Sequence, residues 1–98
     1  MAEIDWSILA KTDLQDIYDY ISKDSARYAL RMIDRIVSKA EILNLQPKVG
    51  KVVKEFDDNN LRELLEGNYR IIYYVDFEQK VFIVRVFHGA RLLKLDNL

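Results

Sequence analysis

Apolar residues recur at Ala10, Leu14, Ile17 and Ile21, a 4-3-4 spacing that draws a stripe down one helix face, with Asp13, Asp16 and Asp19 read as lying off it. Ser7 is an N-cap candidate, and the pattern predicts a helix over 8–23. Asp24 and Ser25 offer a second cap, after which Ala26, Leu30, Ile33, Val37 and Ala40 repeat the rhythm to about residue 45, where Pro47 and Gly50 stop it. So short a link predicts an antiparallel helical hairpin. Arg27, Arg31 and Arg35 form a row on the second helix that reads as a solvated face. Residues 2–6 are a short candidate strand. Trp6 and Tyr18, in or beside the stripes, are expected to pack the hairpin onto a sheet.

From Leu61 the period changes to two. Segments 61–66, 69–77 and 80–88 are rich in β-branched and aromatic residues, and Gly67-Asn68 and Glu78-Gln79 sit where two-residue hairpin loops belong. The expected fold is therefore α+β, a helical hairpin packed on an antiparallel meander. With both loops two residues long, Leu64 faces Ile71 and Tyr73 faces Val84. Leu64, Tyr69, Ile71, Tyr73, Val75, Phe82, Val84 and Val86 then share the face that receives the helices. The other face carries Glu63, Leu65, Arg70, Ile72, Tyr74, Asp76, Ile83, Arg85 and Phe87. Two readings of its polar members stand side by side: an ion-pair network on a solvated sheet, or arginines held on a stiff sheet to receive a phosphate or carboxylate.

The 98 residues suit one domain spanning 1–98. Half are hydrophobic and 32% are charged, too apolar for a disordered chain. No apolar run approaches the roughly 18 residues of a membrane span, Val81 to Val84 being cut by Arg85. Met1 to Asp5 lacks a secretory pattern, so a cytoplasmic location without membrane partners is expected. With no cysteine and one histidine, no metal centre or cofactor is expected. A net charge of -1, from 15 basic and 16 acidic residues, advertises no nucleic-acid partner.

No phosphate loop or nucleophile elbow is present. The segment His88-Gly89-Ala90-Arg91 closes the last strand, where an imidazole beside a guanidinium suits either acid–base work on a phosphodiester or structural hydrogen bonding. The lysines of residues 47–54, followed by Glu55, Asp57 and Asp58, read as an ordinary solvated loop.

The order of these pieces carries more information than any one of them. Trp6 with Ala10, the segment Asp13 to Ile21, Leu61 to Leu64 with Gly67 to Tyr73, and Val86 to Arg91 together resemble the ParE/RelE toxin superfamily of bacterial type II toxin–antitoxin (plasmid stabilisation) systems. The resemblance implies a β-α-α-β-β-β fold and a hetero-oligomer with a cognate, ParD-like antitoxin from an adjacent gene. It also implies one of two activities. RelE-like members cleave messenger RNA in the ribosome, and on that reading Arg70, His88 and Arg91 would be the catalytic groups. ParE-like members inhibit DNA gyrase and are not nucleases. No tyrosine follows Arg91, where a RelE-like catalytic aromatic is expected, and the near-neutral charge offers little to a polyanionic ribosome. The expectation is therefore a gyrase-inhibiting, non-enzymatic toxin. The alternatives are an mRNA endoribonuclease and a degenerate member that only binds its antitoxin. Candidate target- or antitoxin-binding residues are Glu63, Arg70, Arg85, Arg91, Leu92, Leu93 and Leu95, the three leucines being equally suited to fold back on the core.

Overall fold

A computed structural model describes residues 3–89. The elements are β1 (Ile4–Trp6), α1 (Ile8–Ser22), α2 (Ala26–Ala40), a 3₁₀ turn (Glu41–Asn44), β2 (Lys51–Val52), β3 (Leu61–Glu66), β4 (Tyr69–Val75) and β5 (Val81–His88). Both expected caps are made. The Ser7 Oγ accepts from the Ala10 N–H at 2.9 Å and the Ser25 Oγ from the Tyr28 N–H at 3.1 Å. Ser7 also donates to the Val84 carbonyl at 2.7 Å, tying the start of α1 to the last strand.

The five strands lie in the order β1-β5-β4-β3-β2, with β1 parallel to β5 and the other pairs antiparallel. The short β2 falls within the stretch read as a solvated loop. It pairs Lys51 with Glu63 and Val52 with Arg62, extending the meander by one strand. Helix α1 lies on β5, and α2 lies on β3 and β4.

The main core joins Met32, Ile36, Ala40 and Leu43 to Leu64, Ile71, Tyr73, Val75, Val81, Ile83 and Val86, with Trp6, Leu14, Ile17 and Ile21 packed against it. The α1 stripe is therefore as expected, but the α2 stripe is turned. Ala29, Met32, Ile36 and Ala40 are buried, whereas Ala26 and Leu30 are exposed. Helix α2 has two neighbours: the first row faces the sheet, and Ile33, half-buried, lines a shallow hollow with Leu14 and Tyr18 of α1. Reading a single stripe merged these two rows. Arg27, Arg31 and Arg35 are exposed, as expected of a solvated face.

The first hairpin matches its expected register, with Leu64 opposite Ile71 and Gly67 in the left-handed region at φ 57°. The second does not. Asp76 organises a longer turn, its Oδ1 accepting from the Glu78 and Lys80 N–H groups at 2.8 and 2.9 Å, with Gln79 at φ 67°. Val75 therefore pairs with Val81, and Tyr73 with Ile83 rather than Val84. A bulge between Ile72 and Tyr73, with Val84 as the extra residue, then restores the expected pairing of Ile72 with Arg85 and Ile71 with Val86. The consequence is a change of face: Val81 and Ile83 enter the main core, while Phe82 and Val84 do not.

The outer sheet face is not simply solvated. Val53, Leu61, Ile72 and Phe87 form a second small core, with Phe56 and Val84 against it. The segment between β2 and β3 thus folds over the sheet. Just before β2, Gly50 donates its N–H to the hydroxyl of Tyr73, buried in the main core, at 2.9 Å, and its carbonyl accepts from Arg62 Nη1 at 2.9 Å. Burial holds the Tyr73 phenol above its ordinary pKa. A Cβ on Gly50 would lie 2.5 Å from the Glu63 carbonyl oxygen and 2.6 Å from the Tyr73 hydroxyl. Gly50→Ala should therefore cost about 3 kcal/mol, because backbone and a fully buried ring must move. Urea unfolding measures it, and a loss below about 1 kcal/mol would show that the loop relaxes freely.

Candidate functional site

Three elements converge on Arg70. It sits on the outer face of β4; Glu63 comes from the adjacent β3, and Glu55 from the loop that β2 leads into. Arg70 Nε and Nη2 donate to the two Glu63 oxygens at 3.1 and 2.7 Å, and Nη1 and Nη2 to the two Glu55 oxygens at 2.8 and 2.9 Å. Four N–H···O bonds thus form a double fork, the geometry in which a planar guanidinium binds carboxylates most tightly. The Arg70 side chain is only 6% exposed. Its pKa is held above the ordinary arginine value, first by the Glu55 hydrogen bond and then, against the cost of burial, by Glu63.

The cluster floors a cavity of about 550 Å³ at the Gly67-Asn68 end of the sheet. Lys51 and Lys54 stand on one side, with Leu65 beside them, and His88 and Gly89 on the other. The His88 ring meets Tyr69 edge-on, with centroids 5.7 Å apart. Gly89 donates its N–H to the Asn68 carbonyl, so the end of β5 is fastened to the first hairpin turn.

Of the candidate site residues, Glu63 and Arg70 are brought together, and His88 lines the same cavity. Arg85 is not part of that group. Its Nε and Nη2 donate to the carboxylate of Asp13 on α1 at 2.8 and 2.9 Å, and its guanidinium lies 4.5 Å from the Phe87 ring centroid. Asp13 Oδ2 also accepts the Val86 N–H at 2.9 Å. These bonds, the hydrogen bond to Asp13 foremost, raise the Arg85 pKa. Arg91, Leu92, Leu93 and Leu95 lie outside the described residues.

Two carboxylates carry more than their sequence context suggested. Glu55 looked like one of several acidic loop residues, yet Val53 and Phe56 bracket it, and both pack on the outer face. That apolar pair was the available signal. Asp13 was read as off the α1 stripe, but it lies three residues after Ala10 and four before Ile17, which puts it on the buried face. It is 9% exposed.

Chemically, the cavity offers two lysines and an imidazole around a guanidinium already engaged by carboxylates. Among the described residues no cluster of three or more His, Asp or Glu side chains is placed to hold a metal ion. No helix among them is long and apolar enough to cross a membrane.

The chain is similar to Toxin RelE2 of Caulobacter vibrioides, 36% identical over 92 residues that cover 94% of this chain and 100% of that protein. Its fold is that of two solved structures, each 24% identical. One is described as a chromosomal ParDE toxin–antitoxin system from P. aeruginosa, with a TM-score of 0.73 over 90% of this chain and 96% of that one. The other is the RelBE2 toxin–antitoxin complex from Mycobacterium tuberculosis, with a TM-score of 0.65 over 89% and 96%. The model of the ParE toxin of the type II parDE toxin–antitoxin system matches residues 4–93, which takes in both helices, the whole sheet and the Arg70 cluster. This chain is thus a member of the ParE toxin family of type II toxin–antitoxin systems.

Proposed function

We propose that the chain is a ParE-like toxin that inhibits DNA gyrase by binding it, without catalysis, and that a cognate antitoxin binds and neutralises it. The observation that carries this reading is the state of Arg70. A ribonuclease working on a phosphodiester needs a cation turned toward the scissile phosphate, so that charge developing on the phosphoryl oxygens is stabilised. Here the strand arginine directs four N–H donors at Glu55 and Glu63. A phosphate approaching it meets two carboxylates first, at a Coulombic cost that low exposure makes larger. Residues 89–98 contain neither tyrosine nor histidine to share proton transfer with His88. The overall charge of -1 offers no general attraction to a polyanion.

An antitoxin partner is supported by the family itself, described as the toxin of a two-component system. The solved relatives, a ParDE system and a RelBE2 complex, carry the same pairing.

The test is a supercoiling assay with purified toxin titrated into gyrase and relaxed plasmid. Loss of supercoiling, relieved by the antitoxin, is the expected result; unchanged supercoiling at excess toxin would overturn it. The similarity to a relative named RelE2 favours a second reading, ribosome-dependent mRNA cleavage with Arg70, His88 and Arg91 as the acting groups. Toeprinting of translated messages decides that one: cuts within the ribosomal A site, together with inert gyrase, would establish it.

A further inference from the structure

A second cavity, of about 470 Å³, opens between α1 and the end of β5. Tyr20, Tyr69 and Ile17 line it together with Asp13 and Asp16, and the end of β5, with His88, closes the side that it shares with the first cavity. The two carboxylates differ in state. Asp13 is consumed by Arg85 and the Val86 N–H. Asp16, three residues further along the same helix, is exposed and makes no hydrogen bond or ion pair among the described residues. The Tyr20 ring beside it is 73% exposed. It already attracts a cation of this chain, since Lys23 Nζ lies 5.9 Å from its centroid. Tyr69 is held in its neutral phenol form, chiefly by burial and further by Tyr28 and Tyr20, so it supplies a polarisable wall without charge.

We propose that this cavity receives a basic side chain, an arginine by preference, presented by a polypeptide partner, with Asp16 as its counter-ion and the Tyr20 and Tyr69 rings as its walls. An anionic ligand would meet the Asp16 charge directly, and an apolar side chain would leave that carboxylate to be desolvated without compensation. A guanidinium satisfies both features at once. It forms a fork to a carboxylate and lies flat on an aromatic face, whereas an ammonium does only the first, as a point charge. His88 lines both cavities, but Asp16 and Tyr20, which carry this proposal, belong only to the second and take no part in either reading of the function, so variants at these two residues test it separately.

The test uses the whole chain, ¹⁵N-labelled, titrated with N-acetyl-arginine methylamide and separately with N-acetyl-citrulline methylamide, its neutral analogue of the same shape. The arginine probe should give saturable amide shifts at Ile17, Tyr20 and Tyr69, with a dissociation constant on the order of millimolar. The citrulline probe should bind about tenfold more weakly, and Asp16→Asn should weaken the arginine probe by a similar factor. Tyr20→Leu should weaken it too while leaving spectral dispersion intact, the ring being exposed. Equal binding of the two probes, shifts centred on Glu55 and Glu63 instead, or indifference to Asp16→Asn would each overturn the proposal.

Discussion

Arg70→Met is expected to lower the unfolding free energy by about 3–5 kcal/mol, because it leaves Glu55 and Glu63 facing each other in a poorly hydrated pocket with no cation between them. Both carboxylates are only 13% exposed at their side chains. The cost is therefore mostly the penalty of unpaired buried charge rather than the worth of the pairs themselves. A second variant separates those quantities. Combining Arg70→Met with Glu55→Leu and Glu63→Leu removes all three charges beside the small core of Val53, Leu61, Ile72 and Phe87. It should recover most of the loss, since apolar replacement of a buried ionic group is often neutral or stabilising. Arg70→Lys should fall between, keeping the charge but losing the double fork. Urea unfolding of the three variants gives the comparison. An Arg70→Met cost under about 1 kcal/mol would mean that the carboxylates rehydrate and that the Glu55 loop is not pinned by the guanidinium.

The second large effect belongs to Asp13. Its carboxylate serves Arg85 through two bonds and the Val86 backbone through a third, linking residues 72 and 73 positions apart in the chain. Asp13→Ala should cost about 3–5 kcal/mol, because one substitution orphans a half-buried guanidinium and a buried N–H together. Asp13→Asn should cost less, since an amide oxygen still accepts one of these donors. A double-mutant cycle with Arg85→Met isolates the ion pair, and the coupling is expected to exceed about 1.5 kcal/mol. Strict additivity would assign the stability to the Val86 hydrogen bond alone.

Glu55 and Asp13 also mark the boundary of what the sequence made legible. Period and caps were enough to place α1, β3 and β5 almost to the residue and to start α2 at Ala26, because Ser7, Ser25 and Gly67 act through local backbone geometry that a sequence displays directly; the end of α2 was set too late, since the α-helix stops at Ala40 and Glu41–Asn44 tighten into a 3₁₀ turn. The second hairpin failed by one position, since Asp76 folds the turn through its side chain and no Gly marks the left-handed residue, which is Gln79. The error stayed local because the bulge at Val84 absorbed it, leaving Arg70 opposite Phe87 as expected. For the candidate site, Glu63 and Arg70 were readable as neighbours from strand register alone. Glu55 was not, because its approach depends on β2, two residues long, and on Gly50 fitting beneath Tyr73. Arg85 was placed on the correct strand but drawn to α1, a contact that no strand periodicity encodes.

The Asp13 contact bears on solubility as well. Strand β5 has β1 beside it only from Val81 to Ile83, so its last residues would otherwise present bare backbone at the margin of the sheet. Such a margin invites a strand from another molecule to add on, the first step of uncontrolled self-assembly. The carboxylate from α1 occupies the Val86 N–H that an intruding strand would need, and Arg85 is folded across the same place. One aspartate on the neighbouring helix thus guards the chain against its own copies.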